Sequence, residues 1–119
     1  MRYRIRKFKG GLIIKLDGKA EDDEAARARQ VLLPLLRRHG VKVVINLTGL
    51  DELGIPELGV LGAIRQEVKA QDGTFRLYAL QDELRAQFDW NPFLQVYALY
   101  HDLESSFSQM PDLPLKRSA

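Results

Sequence analysis

Few side chains in this sequence could do chemistry, and their spacing is not that of a catalytic site. His39 and His101 stand far apart, and the sequence contains no HxxxH pair, no glycine-rich phosphate loop and no nucleophile elbow. Asp51 and Glu52 are adjacent acids, but nothing near them supplies the second group that general acid–base catalysis needs. The absence of cysteine excludes disulfides and thiolate metal sites. We therefore expect no enzyme activity, no cofactor and no metal ion.

The densest charge cluster is a run of four acids, Glu21 to Glu24, which could be proposed as a cation site. The spacing of the apolar residues that follow predicts a helix from Glu21 to His39, and consecutive helical residues fan out around the axis. We therefore interpret the acids as complementing the helix dipole, with the basic residues 37–39 at the other end. Gly40 would then end the helix, although Pro34 predicts a kink or an earlier end.

The first residues have the pattern of a charged edge strand. Tyr3 and Ile5 predict one strand, residues 12–16 predict a second, and the pair Gly10-Gly11 supplies the positive φ values of a hairpin turn. The alternating arginines at positions 2, 4 and 6 would place charge on one face and protect the edge from aggregation. Nucleic-acid binding is the alternative, but the net charge is only +2 and no aromatic platform accompanies the arginines. We expect no nucleic-acid partner.

The middle of the chain predicts a buried strand followed by a helix. Residues 41–47 are almost continuously apolar, which is typical of a central strand covered on both faces. Pro56 suits the first helical position, and Gly73 would close the helix. Leu61, Ile64 and Val68 form its buried stripe.

The remaining sequence alternates between strand and helix patterns. We expect strands at 74–80 and 94–99 and helices at 82–88 and 102–107. The predicted fold is a single α/β domain: a mixed four- to five-stranded sheet with an N-terminal hairpin, parallel core strands and about four helices. We place the domain at residues 1–109 and a flexible tail at 110–119. No apolar run is long enough to cross a bilayer and no secretory signal is recognisable, so we expect a cytoplasmic protein without direct membrane insertion.

The central motif resembles the signature of STAS domains, the anti-sigma factor antagonist family. The phrase Asn46-Leu47-Thr48-Gly49-Leu50, then Leu53 and Leu58-Gly59-Val60-Leu61, is similar to the family's Asp-Leu-Ser-Gly-Val and Ile-Asp-Ser-Ser-Gly-Leu-Gly-Val-Leu. The similarity extends over nearly the whole chain, to about Phe107. It implies a non-enzymatic switch module that binds an anti-sigma kinase or a related protein. In this family, a kinase phosphorylates the second serine of the motif and breaks the complex.

The chain departs from the family at the switch itself. Gly54 replaces the aspartate, Ile55 the first serine, Pro56 the acceptor serine and Glu57 the glycine. Proline has no hydroxyl, so phosphorylation at Pro56 is excluded. Glu57 could place a fixed negative charge near the start of the helix, or it could simply stabilise that helix start, which we favour. We interpret Thr48, the only hydroxyl near the loop, as structural.

The resemblance places a partner-binding surface at residues 53–62. Gly59 and Gly62 each cost the helix about 1 kcal/mol relative to alanine, which indicates either close approach of a partner or neutral tolerance. The partner could be an anti-sigma kinase, a stressosome-like scaffold or a lipid-transport ATPase subunit, and a homodimer could also form. A small-ligand site is a weaker third hypothesis, and we interpret Phe88, Trp90 and Phe93 as packing residues. The predicted contact residues are Leu53, Gly54, Ile55, Pro56, Glu57, Gly59 and Gly62.

Overall fold

A five-stranded mixed sheet carries two helices in the computed structural model, which describes residues 1–78, 86–87 and 99–100. The strands lie in chain order, with the first pair antiparallel and the later pairs parallel. This confirms the predicted α/β sheet with its N-terminal hairpin and parallel core strands. The elements are β1 (Arg2–Phe8), β2 (Gly11–Gly18), α1 (Asp22–Leu35), β3 (Lys42–Leu50), α2 (Ile55–Ala70), β4 (Thr74–Tyr78) and β5 (Leu99–Tyr100).

The predictions for the later part of the chain are tested only in part. Residues 86 and 87 are helical, within the helix predicted at 82–88, and β5 includes the last residue of the strand predicted at 94–99. The helix predicted at 102–107, the three aromatic residues Phe88, Trp90 and Phe93, and the tail at 110–119 lie outside the described residues.

β3 is the central strand, because the valine and isoleucine run is buried on both of its faces. Val43, Ile45 and Leu47 point to the helix side and are 0% exposed, and Val44 on the opposite side is also 0% exposed. α2 buries its predicted stripe against the same core, which confirms the positions of Leu61, Ile64 and Val68. The loop after β3 is therefore held by a rigid strand on one side and a packed helix on the other.

The end of α1 agrees with the early end that Pro34 predicts and not with the boundary at His39. The helix ends at Leu35 rather than at His39, and the backbone N–H of Leu36 donates to the carbonyl of Leu33 at 3.0 Å. Pro34 has no N–H and cannot bond the carbonyl four residues earlier, so the regular pattern stops within this turn. The basic residues 37–39 therefore lie beyond the helix. Gly40, with φ of +73°, forms part of the connection to β3 instead of the helix cap.

The turn between β1 and β2 is also shifted by one residue. Lys9 and Gly10 take the two positive φ values, +49° and +77°, while Gly11 already belongs to β2. Two consecutive residues with positive φ form the turn that matches the twist of a two-residue hairpin. The hairpin is confirmed, but its turn is Lys9-Gly10 rather than Gly10-Gly11.

The carboxyl end of α2 explains why residue 73 is glycine. Asp72 has a φ of +56°, its N–H donates to the carbonyl of Lys69 at 3.0 Å, and the N–H of Gly73 donates to the carbonyl of Val68 at 2.9 Å. This is a Schellman motif in which Asp72, not Gly73, takes the left-handed position. A Cβ atom at Gly73 would collide with the backbone carbonyl oxygen of Val41. Gly73 is therefore required for close approach to the start of β3.

We expect Gly73→Ala to lower the free energy of unfolding by about 2–3 kcal/mol, because the added methyl group meets backbone that cannot move aside. Gly59→Ala is the matched control. It lies inside a helix, where alanine is favoured by about 1 kcal/mol, and its nearest neighbour is the end of the flexible Arg29 side chain. Urea denaturation should give opposite signs for the two variants. Equal effects would contradict the backbone contact at Gly73.

Candidate functional site

The predicted binding region begins where β3 ends. Leu50 is the last residue of β3, residues 51–54 form the loop, and Ile55 opens α2. Gly54 has an extended backbone and precedes the helix, so Pro56 occupies the second helical position rather than the first. The missing N–H of proline is harmless there too, because the first N–H groups of a helix have no partner within it.

Glu57 makes the contacts that hold this region together. Its Oε1 accepts the N–H of Gly54 at 3.0 Å, and its Oε2 accepts the N–H of Ala20 at 2.6 Å. The first bond caps α2, and the second ties the helix to the segment between β2 and α1. Glu57 is only 1% exposed. A buried carboxylate is costly unless it is hydrogen-bonded, and here each oxygen accepts a backbone donor.

This geometry corrects the hypothesis that Glu57 offers a fixed charge to a partner. The side chain is buried and both oxygens are used internally, so a partner on the surface would not touch it. The contacts instead agree with the favoured interpretation, stabilisation of the helix start. They add one feature that the sequence did not indicate, the bond to Ala20 across 37 positions of the chain.

Two further contacts join the same two loops at the surface. The N–H of Asp51 donates to the carbonyl of Gly18 at 3.2 Å, and Lys19 Nζ lies 3.3 Å from Glu52 Oε1. The hydrogen bond and charge of Glu52 raise the pKa of Lys19 above its ordinary value. Both side chains are more than half exposed, so this ion pair contributes little to stability. The buried Glu57 is the dominant link.

The predicted contact residues differ widely in exposure. Leu53 is 7% exposed and packs in the core, so like Glu57 it stabilises this region without being accessible to a partner. Gly54, Pro56 and Gly62 are half-buried, and Gly59 is exposed. Ile55 is 84% exposed, the largest value among the exposed large hydrophobic residues of the described chain.

Ile55, Gly59 and Gly62 share one face of α2, because positions i, i+4 and i+7 lie along one side of a helix. Arg29 of α1 borders this face: a Cβ atom at Gly59 would lie 3.1 Å from Arg29 Nη1. We call these four residues the docking surface. Arg29 was not predicted, because it belongs to another helix and only the packing of α1 against α2 brings it here.

The acidic run at 21–24 could suggest metal binding, but Asp23 and Glu24 each interact with a different group. Glu24 accepts the N–H of Glu21 at 3.0 Å and lies 3.1 Å from the N-terminal ammonium of Met1; the backbone bond, followed by this ammonium, lowers the pKa of Glu24. Asp23 pairs with Arg27 at 3.5 Å. In residues 1–78, 86–87 and 99–100, no group of three His, Cys, Asp or Glu side chains could hold a metal ion.

The remaining candidate groups have structural contacts. The hydroxyl of Thr48 donates to Asn46 Oδ1 at 2.6 Å, and the N–H of Thr48 donates to the same oxygen at 2.9 Å. These bonds fit the structural interpretation of Thr48. His39 Nδ1 lies 3.8 Å from Asp72 Oδ2 at the surface, and His101 lies outside the described residues.

The family is established by comparison with known proteins. A model of the STAS domain family matches residues 2–106, so the chain belongs to the STAS domain family, as the motif at 46–61 indicated. No curated protein matches the chain. Among the helices of the described residues, none combines the length and apolar character required to span a membrane.

Solved structures share the fold at low sequence identity. An anti-sigma factor antagonist from Mycobacterium paratuberculosis gives a TM-score of 0.76 at 18% identity, covering 93% of this chain and 94% of that one. A STAS domain protein from Planctomyces limnophilus gives a TM-score of 0.76 at 16% identity, covering 91% of this chain and 97% of that one. The anti-sigma factor antagonist SpoIIAA, in its unphosphorylated form, gives a TM-score of 0.69 at 14% identity, covering 89% of this chain and 94% of that one.

We expect Glu57→Gln to destabilise the domain by about 2 kcal/mol or more, because an amide keeps the shape but loses the charge and turns a donor toward a backbone N–H. Glu52→Gln is the matched control, since it removes only the exposed pair with Lys19. Chemical denaturation should show a clear loss for Glu57→Gln and an unchanged midpoint for Glu52→Gln. A midpoint for Glu57→Gln equal to that of the wild type would contradict the buried clamp.

Proposed function

We propose that this chain is a non-enzymatic regulatory module of the cytoplasm that binds a protein partner through the docking surface, as anti-sigma factor antagonists do. The observation that carries the proposal is Ile55, a large apolar side chain that is 84% exposed at the start of α2. An exposed apolar side chain beside a loop held in one conformation supports the proposal, because burying it against a partner would remove apolar surface from water. The glycines beside it leave room for a partner to approach the helix backbone.

The proposed module is not switched by phosphorylation at the usual position. Residues 54–57 contain no hydroxyl group, and Glu57 at the end of this segment is enclosed by backbone donors. A kinase could therefore not add the charge of about −1.5 to −2 that a phosphoserine carries.

A second candidate function is a fixed accessory subunit of a lipid-transport ATPase or of a stressosome-like scaffold. The clamp of Glu57 on Ala20 and Gly54 favours it, because a loop held in one conformation suits a permanent docking face. The identity of the recovered partner separates the two candidates. Affinity purification followed by mass spectrometry would recover an anti-sigma kinase in the first case and an ATPase or scaffold subunit in the second.

We expect Ile55→Gln to weaken binding to the recovered and purified partner by about tenfold or more, because the anchor loses its apolar surface. Val31→Gln is the matched control, since Val31 is also an exposed apolar residue, 48% exposed, but lies on α1. Isothermal titration calorimetry measures both. Equal losses in the two variants would contradict a specific role of Ile55.

Gly59→Arg tests the same surface by addition rather than removal. The new side chain would cover the helix face and repel Arg29, which can move aside because only the end of its side chain is close. We expect lost binding with an intact fold, as judged by circular dichroism. Normal binding by Gly59→Arg would show that the docking surface lies elsewhere.

We also expect incubation with the partner kinase and ATP to leave the complex associated and the peptide containing residues 54–57 at its unmodified mass. The physical reason is the absence of an acceptor hydroxyl in this segment. Native gel electrophoresis and mass spectrometry of the digested protein measure the two results. Dissociation on addition of ATP would show that the switch operates through another residue of the chain.

A further inference from the structure

A basic pocket lies at the hairpin turn, at the opposite end of β3 from the docking surface. Its volume is about 290 Å³. Four basic side chains line it, and among the described residues that form its wall there is no acid. The four are Lys7, Lys9, Arg38 and Lys42.

Lys42 is the unusual member of this group. It is only 5% exposed, and its Nζ donates to the carbonyl oxygen of Lys9 at 3.3 Å. An ammonium group has three donors. Among the described residues no carboxylate forms an ion pair with Lys42, although a buried charge is costly unless it is paired. The pocket therefore contains a buried cation whose charge is not balanced by an acid of the described chain.

The glycine of the turn leaves space for one more group beside this ammonium. A Cβ atom at Gly10 would lie 3.6 Å from Lys42 Nζ, so a larger residue would occupy the space next to the charge. Lys7 and Arg38 are exposed and stand at the rim of the pocket. The site thus combines one buried ammonium with two exposed cations that line the same pocket.

We propose that this pocket binds a phosphate group, with Lys42 as its buried anchor. A phosphate group carries more than one negative charge and several acceptor oxygens, which suits the buried ammonium of Lys42 with the exposed cations Lys7 and Arg38 beside it. A carboxylate would carry only one charge. The phosphate could belong to a free metabolite or to a lipid headgroup, since both present the same chemistry.

Pyrophosphate is the probe for the free form. We expect it to shift the backbone amide resonances of Gly10 and Lys42 saturably in ¹⁵N-labelled protein, against sodium chloride at matched ionic strength. Lys42→Met should weaken the apparent affinity by about tenfold, the loss expected from one hydrogen bond to a charged group. Lys69→Met, which removes an exposed lysine at the end of α2, should leave the affinity within about twofold.

If Lys42→Met does not fold, the double variant Lys7→Gln and Arg38→Gln replaces it, because both side chains are exposed. It should also weaken pyrophosphate binding by about tenfold, since two charge-assisted contacts are lost.

Sedimentation with phosphatidylglycerol vesicles tests the lipid form in parallel. Binding to either probe that depends on these residues supports the site and identifies the source of the phosphate. The proposal is overturned if neither probe binds, or if the substitutions leave the affinity for the probe unchanged. Neither result depends on the protein partner of the docking surface.

Discussion

The carboxylate of Glu57 joins two loops that the chain order keeps far apart. One oxygen holds Gly54 at the start of α2 and the other holds Ala20 in the segment before α1. The segments that precede α1 and α2 are therefore linked by one buried side chain at the carboxyl ends of β2 and β3. The docking surface depends on this alignment, because Ile55, Gly59 and Gly62 belong to α2 and Arg29 belongs to α1.

The two ends of β3 carry different charge clusters. Acids are frequent near the loops that follow β2 and β3, in residues 21–24 and 51–57, and basic residues are frequent around the hairpin turn and the start of β3, although each end also holds the opposite charge, as in the pairs of Lys19 with Glu52 and of Arg37 with Glu67. The 9 residues of β3 span roughly 30 Å at about 3.3 Å each, which is beyond the Debye length of about 8 Å at physiological salt. Interactions between exposed charges at the two ends are therefore largely screened by salt.

Local patterns in the sequence predicted the sheet well because they report burial directly. The apolar run at 41–47 identifies the strand and the apolar stripe of α2 identifies the buried face of the helix. The motif at 46–61 indicates the family. The site was predicted less completely, since the bond from Glu57 to Ala20 and the position of Arg29 beside Gly59 depend on packing between distant segments. The burial of Lys42 was missed for the same reason, as its environment is formed by the hairpin turn and the start of β3.

The residues that remove the phosphorylation site also organise the surface around it. A serine that accepts phosphate must be reachable by a kinase, which requires an accessible loop. Here proline restricts the backbone and Glu57 fixes both neighbouring segments, so the loop has few conformations to lose when a partner binds. A surface ordered before binding loses less entropy in the complex, which under the proposed function favours tight association. Under the proposed function, Pro56 at the acceptor position removes the chemical switch, and the buried Glu57 beside it holds the docking surface in one arrangement before a partner binds.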